Sequence, residues 1–338
     1  MRVTNTMISN RYLSDVNKNL NNMQKITQQM TSGNLVNRPS DDPYITLRSM
    51  QIDSSTSSNK QYNSNIKDVY NWLDTTDGAL SEINDSLGRI RELMVSSGNI
   101  AYDSDQRQTI ADEINQKVNE ISQILNTSFD GRYLFGGTRV NSTPTSVTTD
   151  ATTKNQVLYL ASDLTDANGN YLPLNETDNQ YKMVQSKLNT EVSRVVTLDY
   201  SISATDFLTF EYIDLDENNH MVTKTMDVSA LFKDITDNLV SGDPKEYDKV
   251  VNENLDSIDK VVTNLLTLRS EVGAKQNRMD SAKSINEDEN LNLTDILSKT
   301  MDTDYTQKSI EYSMAQTVYQ ATLQVSGQIL PLTILDYI

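Results

Sequence analysis

The stretch YNSNIKDVYNWLDTTDGALSEINDSLGRIRELM, residues 62–94, decides the fold. Its apolar residues fall at Tyr62, Ile66, Val69, Leu73, Leu80, Ile83, Leu87, Ile90 and Met94, in strictly alternating steps of four and three once Thr76 fills the remaining place. A helix turns every 3.6 residues, so this 3.5-residue period keeps every such side chain on one stripe, the seam of a coiled coil. Upstream, Asp42-Pro43 pairs a capping carboxylate with proline at the first helical position. A helix from Pro43 to about Ser97 is predicted, about 80 Å long at 1.5 Å per residue.

Similar stripes recur on both sides. Downstream, a helix starting near Asp103 or Ser104 carries Ile110, Ile114, Val118, Ile121 and Leu125. The short polar stretch Gly98 to Tyr102 predicts an antiparallel hairpin between the two. Toward the N-terminus, Leu13, Val16, Leu20, Met23 and Met30 form a short seam, with Thr27 in the open place and Gly33 as a C-cap. Helical pattern returns at Leu231 and, after Ser241 to Pro244, continues through Tyr247, Val251, Leu255, Ile258, Val262, Leu265, Leu268, Val272, Met279 and Ala282. A last seam runs Met314, Val318, Ala321, Val325, Ile329 and Leu332, with Pro331 expected to kink or end it.

Between residues 138 and 228 the helical period gives way to β-branched and aromatic runs, including Val195 to Tyr200 and Phe207 to Ile213. Just before them, Asp130-Gly131 reads as a turn and Arg132 to Phe135 as a strand closing on Gly136-Gly137. Residues 216–219 are expected to form the loop of a hairpin joining Phe207–Ile213 to Met221–Met226. The fold class is therefore mainly α: a long-helix coiled-coil bundle built from both ends of the chain, with an inserted β-rich domain. Neither helical half can bury its own stripe, so each requires the other. The expected modules are 1–42 pairing with 296–338, the bundle halves 43–137 and 229–295, and the insert 138–228.

Composition fits long helices, since 338 residues contain only 11 Gly and 6 Pro and 36% hydrophobic residues. The net charge of -18 excludes nucleic acid and anionic membrane surfaces as natural partners. Charge is unevenly placed: residues 1–40 hold five basic side chains against one acidic, and residues 295–338 two against five. The two ends are electrostatically complementary. There is no cysteine, hence no disulfide framework or thiolate metal site. The N-terminal residues carry no apolar core of a cleaved signal peptide, and the amides and hydroxyls scattered from Tyr312 to Leu335 argue against a membrane span.

No residue is assigned a catalytic, cofactor-binding or metal-ligating role. His220 is the single histidine and has no nucleophile motif around it. Asp214, Asp216 and Asn218 imitate the start of a calcium loop, but Asn219 and Thr225 occupy the places of its required glycine and glutamate. Asp41-Asp42 before Pro43 reads as a helix cap, and the run Asn286 to Asn290 as solvated helix surface. From Tyr312 to Leu335 no side chain is charged on any face of the helix. An exposed face normally carries charge, so this seam reads as buried between subunits, and self-assembly through the chain ends is expected.

Four motifs together resemble the flagellin family: Met1-Arg2-Val3-Thr4 with Met7; Thr31-Ser32-Gly33 leading to Arg38, Pro39, Ser40, Asp41, Asp42 and Pro43; Gly131 to Gly137 (GRYLFGG); and the ending from Leu332 to Ile338. The stretch Arg269 to Met279 is also similar to the family's returning helix, whereas the insert matches nothing nameable. Within the family, Pro39-Ser40-Asp41-Asp42-Pro43 resembles the branch that joins hook to filament more than the alanine-rich sequence of filament subunits. The resemblance implies a non-enzymatic subunit of the bacterial flagellum, exported unfolded through the flagellar channel without signal cleavage and located outside the cell. It further implies four partners: copies of itself in a ring, the preceding hook-associated protein, flagellin, and an export chaperone on the C-terminal helix. A filament-forming flagellin and a coiled-coil surface adhesin displaying the insert are the alternatives.

Overall fold

In the computed structural model, residues 5–98, 104–150, 153–166, 170–175, 177–215, 220–241 and 244–329 are described. Its contacts divide the chain into two compact units, one of residues 1–61 with 287–338 and one of residues 62–286. The module boundaries expected at 42/43 and 295/296 fall, respectively, at the start of one long helix and inside another.

The elements follow the expected order. Helix α1 (Asn5–Ser32) is followed by α2 (Pro43–Ser97) and α3 (Ser104–Leu125). Asp42 caps α2 as its sequence requires, its carboxylate accepting from the Tyr44 and Ile45 amides at 3.0 Å each. In the second unit the quoted seam is the core: Leu73, Leu80, Ile83, Leu87, Ile90 and Met94 are fully buried. An ion pair and a hydrogen bond link the neighbouring helices, Arg89 of α2 reaching Glu113 of α3 at 2.7 Å and the Ser86 hydroxyl donating to Glu120. These pairs run antiparallel, as the hairpin expectation requires; the connecting residues 99–103 lie outside the described residues.

After α3, the two-residue strands β1 (Ser128–Phe129) and β2 (Arg132–Tyr133) pair across the Asp130-Gly131 turn, where φ is +51° and +74°. The strand expected to reach Phe135 stops at Tyr133. Leu134 and Phe135 instead turn inward and are fully buried. At Gly137, with φ +59°, a Cβ would run into the carbonyls of Met183 and Val184, so only glycine lets these segments meet.

The insert contains β3 (Thr145–Thr149), β4 (Gln156–Thr165) and β5 (Tyr171–Pro173), which form one antiparallel sheet in the order β3-β4-β5. Two separate hairpins follow, β6 (Asn189–Ser193) with β7 (Val196–Asp199) and β8 (Thr209–Leu215) with β9 (Met221–Asp227). The expected strands pair, while the loop expected at residues 216–219 lies outside the described residues; Phe207 and Leu208 belong instead to a short helix, α5 (Ala204–Leu208), which follows α4 (Asn179–Gln185) within the insert. A capping box explains it, the Ser203 hydroxyl accepting from the Asp206 amide while the Asp206 carboxylate accepts from the Ser203 amide. Such five- to seven-residue helices are too short to show a period.

Helix α6 (Val228–Val240) starts three residues earlier than expected because the Asp227 carboxylate caps the Ser229 and Ala230 amides. Helix α7 (Pro244–Lys249) runs through a π-turn, Val250–Asn254, into α8 (Leu255–Met301). The wide turn shifts the buried stripe so that Val250, rather than Val251, faces inward above Ile258, Val261 and Leu265. Asn286, expected on a solvated surface, is 1% exposed, and its side-chain amide donates to the Val192 carbonyl at 2.8 Å. Glu287, Asp288 and Glu289 remain exposed. The last helix, α9 (Tyr305–Ile329), is set off from α8 by a break at residues 302–304.

Candidate assembly surface

Within the first unit the helices α1 and α9 pack along each other. Two breaks make the pairing possible. Gly33 takes φ +76° and ends α1, its amide donating to the Gln29 carbonyl; a Cβ there would crowd the Tyr305 hydroxyl. At the other break Asp304 caps α9, accepting from the Thr306 and Gln307 amides. The connectors then pair as a bridge, the Leu35 amide donating to the Met301 carbonyl and the Thr303 amide to the Gly33 carbonyl. Gln29, 6% exposed, donates its side-chain amide to the Leu35 carbonyl and holds the turn. The Asp302-Thr-Asp304 cap was the sequence signal for this second break, and the seam pattern passes over it.

The inward stripe of α1 is Tyr12, Val16, Asn19, Met23, Ile26 and Met30, still in steps of four and three. Val16, Met23 and Met30 stand where the seam placed them, but Leu13 and Leu20 face out, replaced by Tyr12 and Asn19. Tyr12 gains a hydrogen bond the leucine could not make, its hydroxyl donating to the Thr322 carbonyl at 2.7 Å. Ile26, buried, takes the place given to Thr27. On α9 the half-buried stripe is Lys308, Tyr312, Ala315, Tyr319 and Thr322, another heptad spacing. Met314, Val318, Ala321 and Val325 are exposed, Met314 at 64%. The side chain of Ile329 and all of Pro331 and Leu332 lie outside the described residues.

Among the described side chains, the outer surface of α9 therefore mixes exposed apolar residues with hydroxyls and amides. Ile310, Met314 and Val318 line an open groove with Ser309, Ser313 and Thr317. The only charged side chains between Tyr305 and Ile329 are Lys308 and Glu311, which pair at 2.7 Å; the Lys308 ammonium holds the Glu311 carboxyl below its usual range. Beside this helix pair the motif residues frame a second groove, with Arg38 and Asp41 facing Leu20, Met23 and Tyr312 and Asp41 paired with Lys25 at 3.6 Å. Pro39 and Ser40 are exposed in the connector, and Asp42 and Pro43 serve the start of α2.

Among the described residues there is no group of three or more His, Cys, Asp or Glu side chains placed to hold a metal, and no helix is long and apolar enough to cross a membrane. Asp214, the first carboxylate of the imitation calcium loop, is occupied by Lys224 at 3.0 Å and Lys260 at 3.5 Å.

Between residues 312 and 325 the exposed side chains of α9 carry no charge and include Met314, Val318 and Val325. Comparison with known proteins gives the family: the bacterial flagellin N-terminal helical region matches residues 3–140, and the C-terminal helical region residues 255–338. The chain belongs to the flagellin family, whose members are structural proteins of the flagellum, not enzymes. It is 33% identical over 141 residues to a flagellin of Clostridium tyrobutyricum, covering 41% of this chain but only 37% of that one. Over nearly full length it is 25% identical to a flagellin of Bacillus subtilis (97% of this chain, 96% of the relative) and 22% identical to flagellar hook-associated protein 3 of Escherichia coli (95% of each). Among solved structures, flagellar hook-associated protein 3 of Legionella pneumophila shares the fold with a TM-score of 0.56 at 15% identity, covering 74% of this chain and 98% of that one.

Proposed function

We propose that the protein is the hook–filament junction subunit: a ring of copies that docks on the preceding hook-associated protein and templates the first flagellin subunits. The observation that carries it is the set of exposed apolar residues on α9, Ile310, Met314, Val318 and Val325. A helix that buries only its Tyr312 face in the monomer gains full burial when neighbouring copies cover the other side. Leu13 and Leu20, outward on α1, supply a second apolar surface for the same contact. The proline-containing connector Arg38–Pro43 and the near full-length likeness to hook-associated protein 3 support the junction over the filament. Passage through the flagellar export channel as an unfolded chain, with a chaperone on α9, and a final place outside the cell belong to the same proposal. A chain without cysteine, and so without disulfides to break, suits that route.

The full-length likeness to a flagellin favours a second reading, a filament subunit. Electron microscopy of cells lacking the gene, with flagellin assayed in the medium, separates the two. Bare hooks with flagellin shed into the medium are expected for a junction subunit. Intact filaments would overturn that role, and loss of filaments with no flagellin in the medium would point to the filament subunit.

A further inference from the structure

The hairpin β6–β7 ends in a two-residue turn, Arg194-Val195, closed by the pairing of Ser193 with Val196. Val195 sits at φ +67°, where a branched Cβ crowds its own backbone, and its side chain is 91% exposed. Glycine or asparagine would relieve the strain, and any polar residue would suit the solvent better. A strained, apolar, solvent-facing tip is accounted for when something outside the chain covers it.

The second unit also holds a cleft of about 580 Å³ walled by Trp72, Phe129 and Tyr200. Trp72 meets the other two rings edge-on, at 6.2 and 5.8 Å between centroids. Asp68 and Asp130 line the cleft against a single cation, Arg132, so its rim is net acidic. Aromatic walls with carboxylates at the rim suit an apolar side chain joined to a guanidinium. Arg194-Val195 is that pair. The ribbon prevents a tip from filling its own cleft, because Thr190 lines the cleft and Val195 lies five residues further out, about 15 Å along a strand.

We propose that the Arg194-Val195 tip of one copy seats in the Trp72 cleft of the next. This is a head-to-tail contact, which closes into a ring when its rotation allows, and it rests on the ring-forming function proposed above. The absence of cysteine makes the test clean. The full chain carrying both Val195→Cys and Thr190→Cys, which leaves the acidic rim intact, is expressed in place of the native protein, and isolated flagella are oxidised and run on a denaturing gel without reductant. A ladder of covalent multiples is expected, lost on adding Arg194→Glu, with each single-cysteine variant staying monomeric. Monomer alone from flagella that still contain the double variant overturns the contact, as do dimers from Val195→Cys by itself, which mean that tips meet tips. If deletion leaves filaments intact the junction role fails instead, and the ladder, sought in whatever polymer holds the protein, still decides the contact.

Discussion

The two units obey the same heptad spacing and use it differently. In the unit of residues 62–286, the stripe from Ile66 to Met94 is buried along its whole length, and the flanking charges pair: Arg91 with Asp259 at 2.6 Å, and Arg269 with Asp77 at 3.0 Å. In the other unit, α1 and α9 share one narrow seam that includes the polar Tyr12, Asn19 and Thr322, while Ile310, Met314, Val318 and Val325 of α9 point outward. Apolar residues in the first place make a core. In the second, those of α9 lie exposed, the surface assigned above to assembly by proposal, and periodicity alone does not separate the two.

The sharpest test of that contrast is truncation on each side. Leu87→Ala removes a fully buried side chain and is expected to cost about 2–5 kcal/mol. Met314→Ala removes an exposed one and should change the monomer by less than about 0.5 kcal/mol. Urea unfolding of the monomer measures both. Motility and attachment of the filament should then fail for a Met314→Asp, Val318→Asp variant whose unfolding is unchanged; equal losses of monomer stability from the two truncations would erase the distinction.

A smaller effect tests the insert. Arg139 is buried, its guanidinium donating to the Thr143 and Ala161 carbonyls at 2.6 Å each, with Asp163 3.8 Å away. Burial pulls its pKa down, and Asp163 opposes that pull. Arg139→Ala leaves both carbonyls without this donor and is expected to cost about 1–3 kcal/mol, read as a lower urea midpoint. Hydrogen exchange should place the loosening around β4 rather than in α1 and α9.

The smallest effect belongs to the helix start. Asp42→Ala removes the cap on α2 and should cost about 1 kcal/mol, with faster amide exchange at Tyr44 and Ile45 and no change at Leu80. A uniform rise in exchange along α2 would mean that both units open together.

These contrasts mark what could be read in advance. The seam from Tyr62 to Met94, the Asp42-Pro43 cap, the Asp130-Gly131 turn and the hairpin of β8 and β9 were legible because each is local: a spacing, a capping carboxylate, a left-handed turn, an alternation. The start of α5 was missed although Ser203 and Asp206 encode it, since a single helical turn carries no period. The inward rotation of α1, from Leu13 and Leu20 to Tyr12, Asn19 and Ile26, was not legible at all. It brings Tyr12 into a hydrogen bond with a carbonyl 310 residues away, a partner no local spacing announces.

The sequence alone determined which segments are helical, where an insert interrupts them and to which family they belong, because helix period, caps and motifs are properties of neighbouring residues. Tertiary structure decided which stripe of each terminal helix is buried and which is left bare, that Gly33 and Thr303 bridge two breaks, and that a strained tip and an aromatic cleft share one unit. Burial and close approach depend on residues far apart in the chain, and only folding brings them together.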